Sequence, residues 1–153
     1  MKILIPVDGS EPALDAVRHA LSLYHNGLKA SFVLATVQVP VYLYELMLPP
    51  DADVLERVTG AEGGKALASA EDLFKVAGVP YEREIGSGDP AQTLIVLARQ
   101  HGCDAIIMGA RGMGALRSTL LGSVSQRVMH EAALPVTIVK HHRAGVPGQS
   151  AGG

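Results

Sequence analysis

The sequence predicts an α/β fold built on a doubly wound parallel sheet of five strands. Strand-like and helix-like segments alternate along the chain, a pattern that calls for parallel strands with helices on both faces. The clearest predicted strands are continuous apolar runs, which is typical of strands covered on both sides. The chain has 153 residues, 48% of them hydrophobic and 18% charged. Those values fit one ordered domain and exclude a disordered chain.

The first βαβ unit has clear boundaries in the sequence. Residues 2–7 form an apolar run that predicts the first strand. Ser10 is a candidate cap for the first helix, with Pro12 in its first turn and Gly27 at its end. Residues 32–39 are again almost wholly apolar and predict the second strand.

The second helix is clearly predicted only in its later part. A helical pattern starts near Asp51, but its firm part covers residues 65–77 and ends at Gly78. The adjacent Gly63 and Gly64 predict that the earlier portion is frayed or broken.

The remaining elements follow in the same order. Asp89 and Pro90 are a capping residue and a first-turn proline for the third helix, which ends at Gly102. The other predicted segments are a third strand over 80–85, a fourth strand over 104–108, a last helix over 123–132 and a fifth strand from Pro135 to Lys140. One domain over 1–140 and a loose tail over 141–153 are therefore expected.

Composition excludes several classes of function. The net charge of -2 gives no reason to expect binding to nucleic acid or to an anionic membrane surface. Cys103 is the single cysteine, so no internal disulfide can form and a reducing compartment is expected. No stretch approaches the roughly 20 apolar residues of a spanning helix. The sequence therefore predicts a soluble cytoplasmic domain.

The fold class itself indicates where a ligand would bind. In doubly wound sheets the ligand lies outside the carboxyl ends of the strands, where the strand order reverses. If that reversal falls between the first and fourth strands, Asp8 and Gly109 both face the crevice.

The segment after the fourth strand is typical of a phosphate-binding loop. It contains Gly109, Gly112, Gly114 and Gly122 and leads to a helix that opens with Ser123. Glycines let a backbone approach an anion closely, and helix N-terminal N–H groups bind phosphate. Arg111 and Arg117 add positive charge to the loop, although the pattern also fits a surface loop with an ordinary serine cap.

Two familiar phosphate motifs are absent. A P-loop requires lysine and then serine or threonine after its second glycine, whereas Ala115 and Leu116 follow Gly114. A dinucleotide fingerprint starting at Gly112 requires glycine where Arg117 stands.

The spacing Gly109-x2-Gly112-x9-Gly122-Ser123 resembles the nucleotide-binding signature of the universal stress protein family, in its ATP-binding branch. The opening ILIPVDGSEPALDAVRHAL, the strand DAIIMGARG and the closing LLGSVSQRVMHEAALPVTIVK resemble the family in the same order, over residues 1–140. The resemblance implies a Rossmann-like sheet of order 3-2-1-4-5. It also implies binding of ATP with Mg²⁺ and a homodimer formed through the fifth strand, by Val136 and Ile138.

The resemblance further implies a role for each matched position. Asp8 would lie beside the ribose or a phosphate-bound metal, Val37 would border the adenine, and Met108 would line the pocket. The implied phosphate site consists of Gly109, Arg111, Gly112, Gly122, Ser123, Val124 and Ser125. Ala110 and Arg111 stand where family members often have serine and histidine, so side-chain contacts at these two positions are not implied by the glycine spacing.

Simpler interpretations of these residues stay open. Asp8 before a glycine is typical of turn chemistry, and Val37 and Met108 are ordinary core residues by default. The six histidines show no metal-ligand spacing, so no metal site is predicted from the protein's own side chains. Cys103 has no nearby base in the sequence and is interpreted as structural.

Three functions compete at this point. The first is an ATP-binding regulatory module that acts in a stress response as a dimer. The second is an adenine-nucleotide-dependent enzyme, at most a slow ATP hydrolase, because no phosphate-loop lysine or positioned base is evident. The third is a phospho-receiver domain, which would need an aspartate after the third strand, where Ile85-Gly86-Ser87 stands.

Overall fold

The computed structural model describes residues 1–39, 52–110 and 121–141, with side chains described from Gly63 onward in the second helix. Its elements, in chain order, are β1 (Lys2–Pro6), α1 (Glu11–His25), β2 (Ser31–Gln38), α2 (Ala52–Ala77), β3 (Glu82–Ser87), α3 (Pro90–Gln100), β4 (Ala105–Gly109), α4 (Ser123–Glu131) and β5 (Val136–Val139). The predicted alternation of strands and helices is confirmed. The predicted phosphate-binding segment over residues 111–120 and the predicted tail from residue 142 lie outside the described residues.

The five strands form one parallel sheet in the order β3-β2-β1-β4-β5, as the family resemblance implies. The chain moves from the centre to one edge through β1, β2 and β3, and then returns to the other side of β1 with β4 and β5. The order therefore reverses between β1 and β4, which are neighbours in the sheet, and the chain leads from β1 into one half of the sheet and from β4 into the other.

Helices cover both faces of the sheet and divide the core in two. On one face α1 and α2 cover the odd-numbered residues of β1, and the cluster includes Ile5, Val17, Phe32 and Phe74. On the other face α3 and α4 cover Leu4 and the side chains that alternate with the first set. Continuous apolar runs in β1 and β2 are thus explained by burial on both sides.

The aromatic side chains concentrate on the face covered by α1 and α2. Phe74 of α2 makes edge-on contacts with Phe32 and with Tyr81, both with ring centroids 5.4 Å apart. Burial raises the pKa of Tyr81 to about 12, and the hydroxyl donates to Glu71 at 2.7 Å. These rings lie toward the amino ends of the strands, away from the switch between β1 and β4.

Helix α2 corrects one prediction. It runs without a break from Ala52 to Ala77, through the two glycines that predicted a frayed segment. A Cβ atom on Gly63 would lie 2.7 Å from Cγ2 of Ile85 on β3, so this glycine allows the helix to approach the sheet. The residue that looked like a helix breaker is required by packing.

The caps of α1 and α3 differ. Asp89 caps α3 as predicted, because its carboxylate accepts the N–H of Gln92 at 3.0 Å. Ser10 occupies the cap position of α1 but makes no side-chain cap bond, since its hydroxyl donates to Asp8 instead. The Ser10 hydroxyl therefore orders the loop after β1 rather than the start of the helix.

A charged cluster lies at the amino ends of the strands. Lys2 of β1 is 3.2 Å from the Glu82 carboxylate, and the two ring nitrogens of His101 contact Glu82 and Glu84. Cys103 is buried close to this cluster, and burial raises the pKa of its thiol. None of the described helices combines the length and the apolar composition needed to cross a membrane.

Candidate functional site

The switch between β1 and β4 contains the two positions that the fold class predicted. Asp8 follows the end of β1 by two residues, and Gly109 is the last residue of β4. β1 and β4 pair directly, with Leu4 opposite Ile106. The loops that follow these strands therefore leave the sheet side by side, at its carboxyl edge.

Three of the apolar residues assigned to the site lie on one face of the sheet. Met108 is buried in the cluster beneath α3 and α4, and Val37 and Val124 pack against that cluster, partly exposed. They come from β2, β4 and α4, which are distant in sequence. Their position is consistent both with ordinary core packing and with an apolar wall beside the crevice.

The loop after β1 holds Asp8 in a tight turn. Its carboxylate accepts the Ser10 N–H at 3.0 Å and the Ser10 hydroxyl at 2.5 Å. Gly9, between them, has a φ of 86°, which favours glycine. The predicted turn chemistry is therefore present, and it orients a partly exposed carboxylate at the switch.

Gly109 has a packing role that the sequence did not predict. A Cβ atom at this position would lie 2.6 Å from the carbonyl oxygen of Pro12, in the first turn of α1. Its own carbonyl oxygen accepts a buried hydrogen bond of 2.8 Å from the Ser125 hydroxyl. The end of β4 thus touches α1 on one side and is bonded to α4 on the other.

The start of α4 opens at the same edge. Gly122 is its cap residue and donates its N–H to the Ala110 carbonyl at 2.8 Å. Helix geometry leaves the N–H groups of Ser123, Val124 and Ser125 without an intrahelical acceptor. Ser123 is exposed, whereas Ser125 is buried and engaged with Gly109. This helix start can accept an anion through backbone N–H groups and the Ser123 hydroxyl.

Two assigned residues, Arg111 and Gly112, lie outside the described residues. The structure therefore brings together Asp8, Gly109, Gly122 and Ser123–Ser125 around the switch, with Val37 and Met108 on one adjoining face.

Sequence reasoning missed one polar pair beside this site. Arg127 of α4 donates from one guanidinium nitrogen to both carboxylate oxygens of Asp89, at 2.9 and 3.0 Å. The partners are 38 residues apart, and no local pattern links them. The pKa of the Asp89 carboxyl is held below its usual range, first by the Gln92 N–H and then by Arg127.

The protein's own side chains do not form a metal site in the part of the chain that the structure covers. Over residues 1–39, 52–110 and 121–141, no three His, Cys, Asp or Glu side chains are grouped to hold an ion. A single carboxylate such as Asp8 is still compatible with Mg²⁺, because Mg²⁺ in nucleotide sites takes most other ligands from phosphates and water.

Comparison with known proteins agrees with this fold and with the sequence resemblance. The family model described as "Universal stress protein family" matches residues 1–140. The universal stress protein MJ0531 of Methanocaldococcus jannaschii is 31% identical over 141 residues, which cover 91% of this chain and 81% of that protein.

Two solved structures show the same architecture. Protein MJ0577 of M. jannaschii superposes with a TM-score of 0.76 at 26% identity, covering 94% of this chain and 97% of that one. A universal stress protein in complex with cAMP has a TM-score of 0.66 at 27% identity, covering 91% and 96%. Because the family model spans residues 1–140 and MJ0531 is 31% identical over 91% of this chain, the chain belongs to the universal stress protein family.

Proposed function

We propose that this protein binds an adenine nucleotide, ATP with Mg²⁺, in the crevice between the loops that follow β1 and β4. The observation that carries the proposal is that three features meet at the carboxyl edge of the sheet. These are the open start of α4 at Ser123, the oriented Asp8 carboxylate, and the apolar face at Met108 and Val37. Phosphates, a phosphate-bound cation and a base each have a matching surface. The cAMP-bound relative supports an adenine nucleotide as the ligand class.

The direct test is calorimetry on nucleotide-free protein. ATP is expected to bind more tightly than GTP. The base would pack against an apolar wall at Val37 and Met108, and adenine is the less polar of the two purines. An Asp8→Asn variant should weaken the Mg²⁺ dependence of ATP binding while the same protein still melts cooperatively. Absence of heat with either nucleotide at millimolar concentration would contradict the proposal.

We further propose a regulatory role rather than rapid turnover. The sequence has no phosphate-loop lysine, and the oriented carboxylate at the switch, Asp8, is already engaged by Ser10. Phosphate release from ATP should therefore fall far below the roughly 1–1000 per second of typical enzymes. Robust multiple turnover in a coupled assay would favour a nucleotide-dependent enzyme instead.

We propose that the functional form is a homodimer paired through β5. This strand lies at the sheet edge. The carbonyls of Pro135 and Val139 accept the N–H groups of Ile106 and Ala110. By the period-two alternation of a strand, the backbone groups of Val136 and Ile138 face away from β4. Two copies could therefore pair antiparallel about a two-fold axis.

Light scattering coupled to size exclusion tests the dimer. The wild type should have twice the 16.0 kDa mass of the chain at micromolar concentration. Ile138→Pro removes an outward N–H and should give a monomer, whereas Ile138→Ala keeps the N–H and should stay dimeric. A monomeric wild type, or a proline variant that remains a folded dimer, would contradict pairing through this edge.

A further inference from the structure

The Asp89–Arg127 pair joins the start of α3 to the second turn of α4, on one face of the sheet. Asp89 is the cap residue of α3, and Arg127 lies in the second turn of α4, with its guanidinium 2.9 Å from the carboxylate. Both side chains are about half exposed, at 43% and 44%. A ligand at the start of α4 could therefore reach the guanidinium without disturbing the core.

Helix geometry directs Arg127 toward the proposed phosphate site. Arg127 follows Ser123 by four residues, so the two lie on the same side of α4, about 6 Å apart along its axis. Long side chains in a helix lean toward its N-terminus. From this position the side chain can extend toward Ser123 and the open N–H groups, while its Nε also lies 3.6 Å from the carboxylate of Glu131, one turn further along α4.

Arg127 can leave Asp89 for a phosphate at little cost in free energy. Exposed ion pairs contribute little to stability, whereas arginine binds phosphate oxygens through strong, often paired hydrogen bonds. Asp89 would keep its hydrogen bond from Gln92 and its place at the N-terminus of α3. The Gln92 N–H is also the larger of the two main causes that hold the pKa of this carboxyl low, so Asp89 stays ionised after Arg127 leaves.

We propose that Arg127 leaves Asp89 to bind a phosphate of the nucleotide, so that the affinity of the site increases with the number of phosphates. This inference rests on the proposed nucleotide function, since it concerns the same crevice. Asp89 then acts as a competitor that holds the arginine in place while no nucleotide is bound.

The test compares ATP, ADP, AMP and adenosine by calorimetry at one low ionic strength, on nucleotide-free full-length protein. Arg127→Gln should weaken ATP binding about tenfold and leave adenosine within about twofold, since a charge-assisted contact to phosphate is lost. Arg99→Gln is the matched control, because Arg99 lies in the last turn of α3, at the opposite end of the sheet. It should bind all four ligands as the wild type does.

A second variant should strengthen ATP binding instead of weakening it. Asp89→Asn keeps a good capping residue but removes the nearer of the two carboxylates that contact Arg127, the other being Glu131, and it should bind ATP several times more tightly than the wild type. Melting temperatures of all variants are measured alongside, so that loss of fold is separated from loss of contact.

The outcomes separate this inference from the proposed function. If the wild type binds ATP and Arg127→Gln matches Arg99→Gln, the arginine does not contact phosphate and the inference is wrong, while the proposed function stands. Equal weakening of ATP and adenosine would also overturn it. A wild type that binds none of the four ligands would overturn both proposals.

Discussion

At the scale of single residues, Gly109 and Ser125 act chiefly by fixing positions. Gly109 is a glycine because the Pro12 carbonyl occupies the space of its Cβ, and Ser125 is buried because its hydroxyl holds the Gly109 carbonyl. Both residues belong to the glycine–serine region that indicated a phosphate site. The Pro12 carbonyl and the Ser125 hydroxyl together fix the end of β4 at the switch.

Serine-to-alanine substitutions at positions 123 and 125 separate the two roles. Ser125→Ala removes a buried donor and leaves a carbonyl without its partner, so it should lower the free energy of unfolding by about 1–3 kcal/mol. Ser123→Ala changes an exposed residue of the same helix and should cost about 0.5 kcal/mol or less. Urea denaturation of both variants measures the difference. Equal stabilities would show that the bond to Gly109 contributes nothing.

Local chemistry explains why part of the site could be predicted and part could not. The Asp8 turn and the start of α4 at Ser123 depend on neighbours in sequence, and both are found as expected, although the cap residue of α4 is Gly122 rather than a serine. The contact between Gly109 and Pro12 and the pair Asp89–Arg127 join segments far apart in sequence. Only the three-dimensional arrangement of helices on the sheet brings such partners together.

At the scale of elements, helix α2 shows how tertiary packing outweighs intrinsic propensity. Two adjacent glycines in a helix are unfavourable by local rules, yet the helix is continuous. Its first glycine is needed where the helix meets Ile85 of β3. By contrast the boundaries of α3 were predicted well, because an aspartate cap, a first-turn proline and a terminal glycine are all local signals.

The neighbouring glycines of α2 provide a matched test. A Cβ on Gly64 would meet only the end of the Arg83 side chain, at 3.8 Å, so Gly64→Ala should stabilise the protein by about 0.5–1 kcal/mol. Gly63→Ala gains the same propensity but forces Ile85 to move, and it should be less stable than Gly64→Ala by about 1–3 kcal/mol. Thermal and urea unfolding of the two variants decide the order. The reverse order would contradict close packing of α2 on β3.

At the scale of the whole molecule, ion pairs link different helices and strands at both ends of the sheet. The pKa of Glu82 is lowered, first by Lys2 and then by His101, at the amino ends of the strands. The pKa of Asp89 is lowered at the carboxyl edge. Glu82 links β3 to β1 and to the end of α3, and Asp89 links α3 to α4. Protonation of either carboxylate weakens contacts between elements.

The lowered pKa values of Glu82 and Asp89 predict how the free energy of unfolding changes at acidic pH. Each has a lower pKa in the folded state than in the unfolded chain, so its stabilising contribution is fully present above the unfolded value of about 4. The contribution is lost as the pH falls through the lowered folded values. Urea midpoints between neutral and strongly acidic pH should therefore fall less steeply for a Glu82→Gln, Asp89→Asn double variant than for the wild type. Asp72→Asn, on the exposed side of α2, is the control and should follow the wild type. An unchanged slope in the double variant would contradict the assignment.

The sheet order illustrates the limit of composition and periodicity as guides to the whole molecule. Alternating apolar strands and amphipathic helices predicted a doubly wound sheet, and burial of β1 and β2 on both faces agrees. The order 3-2-1-4-5 came from family resemblance, because nothing in a single apolar strand specifies which neighbour it will have. The helix faces specify only that each helix must cover the sheet.

The hydrogen bond between Gly122 and the Ala110 carbonyl has an evolutionary consequence. It joins the two ends of the segment 111–121, and the buried bond from Ser125 to Gly109 secures the same junction from within. The entropic cost of closing a loop grows only slowly with its length, by about 0.6 kcal/mol for each doubling. Insertions, deletions or a transplanted segment between these anchors should therefore leave the sheet and both helices where they are. The junction lets descendants of this chain exchange the segment between these anchors without redesigning the scaffold that carries it.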